Sequence, residues 1–122
     1  MGSHNKPSII IVYTKITPLE DIKNEITWGI EEEGMSHEEI PLDEEEALNV
    51  SVVYQHAGSS NLGIAIGINS EEIVLHYKKM NEKNPVFFYK LNSLFLKENK
   101  ELFRNIGKNA CKLAKNKPFI EI

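Results

Sequence analysis

The residues PSIIIVY, at positions 7–13, place Ile9, Ile10, Ile11 and Val12 side by side with no polar residue between them. A strand with one face in water alternates apolar and polar side chains. A run without alternation suits a strand covered on both faces, as in a parallel sheet between helices. LGIAIGI, at 62–68, repeats the pattern, and its Gly63 and Gly67 either admit another backbone at close range or simply weaken the strand. Two such strands in 122 residues predict an α/β fold of one domain, large enough to bury a core without disulfides or a structural metal.

Between these strands the spacing predicts helices. Thr17, Pro18, Leu19 and Glu20 read as a capping box with proline in the first turn. Leu19, Ile22, Ile26 and Ile30 recur at helical spacing, and Gly34 is a natural stop. HEEIP (37–41) reads as a short strand. A second helix is expected from Asp43 to Gly58, with Glu44, Glu45 and Glu46 at its positive end, where carboxylates are favourable. Asn69-Ser70 signals a turn, so EIVLHY (72–77) should return as an antiparallel hairpin partner. PVFFY (85–89) reads as a further core strand. From about Glu98 to Asn116, Leu102, Phe103, Ile106, Ala110, Leu113 and Ala114 form one helical face, ended by Pro118. The order β-α-β-α-β-β-β-α predicts a three-layer α/β/α domain over residues 7–122, with a mixed, mostly parallel sheet of about five strands. Residues 1–6, opening Met-Gly-Ser-His, are expected to be a disordered terminus or an expression scar.

Most chemistries are not written in this chain. A net charge of −4 gives no general attraction to nucleic acid or an anionic membrane, and the apolar runs are strand-sized, not membrane spans. A single cysteine, Cys111, fits a reducing cytoplasm, and its place beside the apolar helical face reads as core rather than nucleophile. The first strand leads into Thr14-Lys15-Ile16-Thr17-Pro18 with no glycine to cradle phosphate, so the chain is not expected to bind ATP alone. His37, His56 and His76 are too dispersed for a zinc ligand set. Neither a Gly-x-Ser-x-Gly elbow nor an Asp-x-His-x-x-Gly cobalamin loop is present.

One segment breaks the electrostatic rules. Gly29-Ile30-Glu31-Glu32-Glu33-Gly34 puts three carboxylates at the C-terminal end of the first helix, which already carries roughly half a negative charge. At about 100° per residue, Glu31 and Glu32 fall on opposite flanks of the buried stripe, and Glu33 lies nearer to it. An ordinary solvated helix end tolerates such charges at some tenths of a kcal/mol each. The other explanation is that a cation from outside, a metal or a basic partner, completes the end.

This segment occurs in order with LGIAIGI (62–68), VLHYK (74–78) and IGKNACKLAK (106–115), the last followed by Lys117-Pro118-Phe119. Together the four resemble the small subunit of the diol and glycerol dehydratase reactivating factors, from Pro7 to Phe119. The resemblance implies a fold similar to the dehydratase medium subunit and a non-catalytic role. In that family the small subunit partners a large, Hsp70-like ATPase subunit in a heterotetramer, with ATP or ADP on the partner only. The complex acts on adenosylcobalamin-dependent dehydratase, exchanging with its medium subunit so that damaged cobalamin leaves. The resemblance further implies that a glutamate of GIEEEG reaches a divalent cation, Mg or Ca, shared with the large subunit. By motif position this is Glu32, with Glu31 and Glu33 as second choices.

The implied location is cytoplasmic, in or near a bacterial microcompartment. The sequence leaves open whether the isolated chain is a monomer or a homodimer. The competing readings are a medium-subunit-like component of a cobalamin-dependent dehydratase, and a stand-alone small-molecule-binding α/β domain. The first strand begins almost at once, whereas dehydratase medium subunits carry an extended N-terminal region, which favours the reactivase reading. Met35-Ser36-His37, the Ala-Cys-Lys of the last helix, and the apolar Leu91, Leu94, Phe95 and Leu96 in KLNSLFLKEN (90–99) depart from the family pattern. They leave open whether diol or glycerol dehydratase is the client.

Overall fold

A computed structural model describes residues 7–44, 46–91 and 100–121. In chain order the elements are β1 (Ser8–Thr14), α1 (Thr17–Glu32), β2 (Ser36–Leu42), α2 (Val50–Ser59), β3 (Ile64–Ile68), β4 (Glu72–Tyr77), β5 (Phe87–Lys90) and α3 (Lys100–Ala114). The strands form one sheet in the order β2-β1-β3-β4-β5. β1 pairs in parallel with β2 and β3, while β3–β4 and β4–β5 are antiparallel. The sheet is therefore evenly mixed rather than mostly parallel. Asn69 accounts for the reversal: its Oδ1 accepts from the N–H groups of Glu71 and Glu72 at 2.8 and 2.9 Å, which folds the chain straight back.

The uninterrupted apolar run of β1 is explained by its two neighbours. Ile9, Ile11 and Tyr13 enter the core with Leu19, Ile22, Ile26 and Ile30 of α1 and with Phe103, Ile106 and Ala110 of α3. Ile10 and Val12 face the other way, toward Val53 and Ala57 of α2. Right-handed crossovers require this split, because β1 to β2 and β2 to β3 move in opposite directions along the sheet. Gly67 answers the question its sequence raised. A Cβ there would lie 2.2 Å from Val53 Cγ2, so α2 sits directly on the strand.

α1 and α3 run side by side in the same direction, with Glu25 beside Arg104 and Glu33 beside Lys115. A Cβ on Gly29 would stand 2.0 Å from Arg104 O, and one on Gly107 would stand 2.1 Å from Ile26 O. The helices thus meet backbone to backbone, an approach that only glycine allows. Both then end in the same way. Gly34, at φ 77°, donates to Glu31 O while Met35 donates to Ile30 O; Asn116, at φ 56°, donates to Leu113 O while Lys117 donates to Lys112 O. These paired bonds are Schellman ends, with glycine and asparagine as the left-handed residues.

Several local expectations are corrected. Thr17 does not cap α1: the N-cap is Ile16, in extended backbone with no side-chain cap, and Pro18 and the acidic Glu20 favour the first turn instead. The second helix starts at Val50, not Asp43, because Asn49 caps it by accepting from Val52 N–H at 3.0 Å. Asp43 and Glu46 instead close a turn, Glu46 N–H donating to Asp43 O at 3.0 Å. β5 is a half-buried edge strand with Phe88 45 % exposed, not a core strand. Leu94, Phe95 and Leu96 lie outside the described residues.

Candidate functional site

Parallel packing brings the C-terminal ends of α1 and α3 together, and with them two negative helix poles. Lys112 of α3 and Lys115, just past its end, answer both. Each Nζ lies 3.7 Å from Glu33 Oε1, and Lys115 Nζ also donates to the Glu33 carbonyl at 2.8 Å. Part of the positive charge that GIEEEG lacks is therefore supplied from within the chain. Glu33 is accordingly committed, its side chain 23 % exposed.

Glu31 and Glu32 stand differently. Glu31 is exposed and makes no ion pair among the described residues. Glu32 is 47 % exposed, and its Oε1 lies 3.5 Å from Arg104 Nε. Arg104 in turn donates from Nη2 to Glu25 Oε1 at 2.8 Å, and its guanidinium lies 5.8 Å from the ring centroid of Trp28. Glu25, Trp28 and Glu32 follow one another at helical spacing, so α1 carries a second stripe opposite α3's Arg104. Arg104 and Trp28 went unnoticed in the sequence; that polar stripe was the available signal.

The donor set limits what this end can hold. Among the described residues no group of three His, Cys, Asp or Glu side chains could hold a metal ion. Glu32 offers a hard, half-exposed carboxylate, which fits one position in an oxygen shell and no more. The remaining ligands of any cation here would have to come from elsewhere.

The other chemistry-bearing residues serve the fold. His76 is fully buried; its Nδ1 accepts from Tyr77 N–H at 3.0 Å and its Nε2 faces Glu82 O at 2.9 Å, which puts the hydrogen on Nε2. Cys111 is fully buried, and desolvation pushes its thiol up to about 11. His37 and Lys23 both contact Glu39, at 2.9 and 2.8 Å. Burial alone would raise the Glu39 carboxyl, but the hydrogen bonds from Lys23 and His37 outweigh it and hold the group below its usual value. Just past the end of β3, Asn69 Nδ2 donates to Leu48 O at 2.7 Å, tying the β3–β4 turn to the segment before α2. No helix among the described residues is long and apolar enough to cross a membrane.

Comparison with known proteins places these features. The family described as dehydratase medium subunit matches residues 6–120. The propanediol dehydratase-reactivating factor small subunit of Citrobacter freundii is 32% identical over 94% of this chain and 91% of its own length. That of Salmonella typhimurium is 31% identical over 99% of this chain and 97% of its own. Among solved structures, a diol dehydratase-reactivating factor complexed with ADP and Mg2+ superposes with a TM-score of 0.79 at 28% identity, covering 94% of this chain and 98% of that one. A glycerol dehydratase reactivase gives 0.80 at 26% identity, covering 94% and 97%. The chain belongs to the dehydratase medium subunit family, among the small subunits of the diol dehydratase-reactivating factors.

Proposed function

We propose that this chain is the non-catalytic small subunit of an ATP-dependent reactivating factor that releases damaged cobalamin from an inactivated diol or glycerol dehydratase. The observation that carries the reading is the match to reactivating-factor small subunits along nearly the whole of both chains. The partner is a large, Hsp70-like ATPase subunit in a heterotetramer, which binds the ATP or ADP. The small subunit acts by occupying, in turn, a place on that partner and the place of the dehydratase's medium subunit. Its cytoplasmic setting, with or without a microcompartment, follows from that client.

In this reading the end of α1 faces the large subunit. Glu32 completes the shell of a divalent cation, Mg or Ca, held mostly by the partner's oxygens, with Glu31 as second choice. A relative's complex contains Mg2+, and a hard cation takes carboxylate oxygen readily. Bound there, the cation supplies the charge that offsets Glu31, Glu32 and the helix pole. Glu33 is the weaker candidate because Lys112 and Lys115 already engage it. The chain's own residues bind and orient; none is asked to move a proton.

A second reading, a medium-subunit-like component of a dehydratase itself, draws on the family's description. Mixing the tagged chain with purified reactivase large subunit and, separately, with dehydratase catalytic subunits distinguishes the two. Stable capture of the large subunit is expected. Capture only of dehydratase subunits, in a complex that binds cobalamin, would establish the second reading instead. Light scattering of the isolated chain separates monomer from homodimer.

A further inference from the structure

Arg104 is held at one end and incomplete at the other. Its Nη2 donates to Glu25 Oε1 at 2.8 Å, and the Glu25 side chain is only 10 % exposed. Its Nε is buried and has no hydrogen-bond acceptor among the described residues. Glu32 Oε1 stands 3.5 Å from it, so a movement of about half an ångström would bring the pair to ordinary hydrogen-bond length. A buried N–H without an acceptor is costly, and the residue able to satisfy it is the proposed cation ligand.

We infer that Arg104 is a positioning residue for Glu32: when that carboxylate joins a shared cation site, Oε1 closes onto Arg104 Nε, leaving its other oxygen for the cation. This rests on the reading of Glu32 as a cation ligand. Three features support it. The Arg104 backbone is fixed where α1 and α3 touch, since a Cβ on Gly29 would meet Arg104 O at 2.0 Å, and Glu25 holds the guanidinium from there. Its positive charge is already matched by Glu25, so it offers Glu32 an oriented N–H rather than a net charge that would repel a metal ion. The planar fork of arginine allows Nη2 and Nε to serve two carboxylates at once, which a lysine ammonium does not reproduce. Carboxylate ligands commonly depend on such outer partners for their orientation.

The test compares wild type, Glu32→Gln, Arg104→Lys and the double variant Glu25→Gln/Arg104→Met, which leaves no unpaired buried carboxylate. Mg2+ is titrated into cation-stripped mixtures of each with the large subunit, and the half-assembly concentration is read by sedimentation. Both Arg104 variants should raise that concentration about tenfold, with assembly regained at saturating Mg2+. Glu32→Gln should lose the cation dependence. Trp28, the single tryptophan, gives a local readout as 5-fluorotryptophan: its 19F shift should move on cation binding in wild type and not in Arg104→Lys. If Glu32→Gln loses the dependence while the Arg104 variants keep the wild-type midpoint, Arg104 does not position Glu32. A lowered midpoint also overturns the inference, since charge repulsion would then dominate. Unchanged cation dependence in Glu32→Gln refutes the cation reading itself, and this inference with it.

Discussion

Replacing Gly107 with alanine separates two views of the α1–α3 pair. In an ordinary helix interior glycine is worse than alanine by about 1 kcal/mol, so the substitution should stabilise. Here the new Cβ would lie 2.1 Å from Ile26 O, 3.0 Å from Ile26 C and 3.1 Å from Ile30 N. All three are backbone atoms of α1, so no rotamer change relieves the clash and the helices must part by about 1 Å or more. Overpacking of this kind costs about 1–3 kcal/mol, and the upper end applies because α1 is itself fixed against the sheet by Ile22, Ile26 and Ile30. Net of the propensity gain, about 2 kcal/mol should be lost, lowering Tm by about 5–10 °C. Gly58→Ala is the internal control, since its Cβ would meet nothing within 4 Å, and it should gain some tenths to about 1 kcal/mol. Urea and thermal denaturation of both variants give the answer. A Gly107→Ala protein as stable as wild type, or more so, would refute the backbone contact and the arrangement of the helix ends that depends on it.

The same logic applies across the sheet, where Gly67→Ala should destabilise by about 1–3 kcal/mol and Val53→Ala should recover part of the loss in the double variant, measured by urea denaturation. Gly34→Ala meets no atom but must hold φ 77°, so a loss of about 1 kcal/mol is expected, smaller for asparagine. Glu39 titrates below its ordinary value of 4.5 in the folded chain. Its stabilisation is therefore complete above that value and is lost as pH falls through the folded pKa; Glu39→Gln should flatten this part of the acid limb. Cys111, with its thiol pushed up to about 11, should resist a thiol reagent at pH 8 in the folded chain and react at once in denaturant, as followed by absorbance.

The strands and helix faces that bury most were legible because a single physical demand sets each. β1 and β3 had to be covered on both sides, and Ile9 through Val12 say so without reference to any other segment. Gly34 likewise announced the end of α1, since its positive φ is a local requirement. Where two local signals competed, the reading failed. The acidic run at Asp43–Glu46 imitates a helix start, yet Asn49, six residues after Asp43, caps the helix at the point where Val53 and Ala57 can reach β1 and β3. PVFFY is apolar enough for a core strand, yet β5 lies at the sheet edge, which is a matter of topology.

The candidate end of α1 was legible as an anomaly of charge, though only relative to one helix. That Lys112 and Lys115 would neutralise Glu33 depends on α3 packing parallel to α1, and Glu25 and Arg104 are 79 residues apart in sequence. Gly29 and Gly107 carried that information in principle, since a glycine inside each helix face marks a close approach. Without the partner helix in view, a glycine inside a helix shows only its low helix propensity.

The most direct test of the proposed role is reactivation itself. A dehydratase inactivated with a damaged cobalamin is incubated with ATP, Mg2+, fresh adenosylcobalamin and the cognate large subunit, with and without this chain, and its recovered activity is followed. Recovery is expected only when both subunits are present, together with release of the damaged cofactor. Recovery with the large subunit alone, or none when this chain is added, would contradict the assignment.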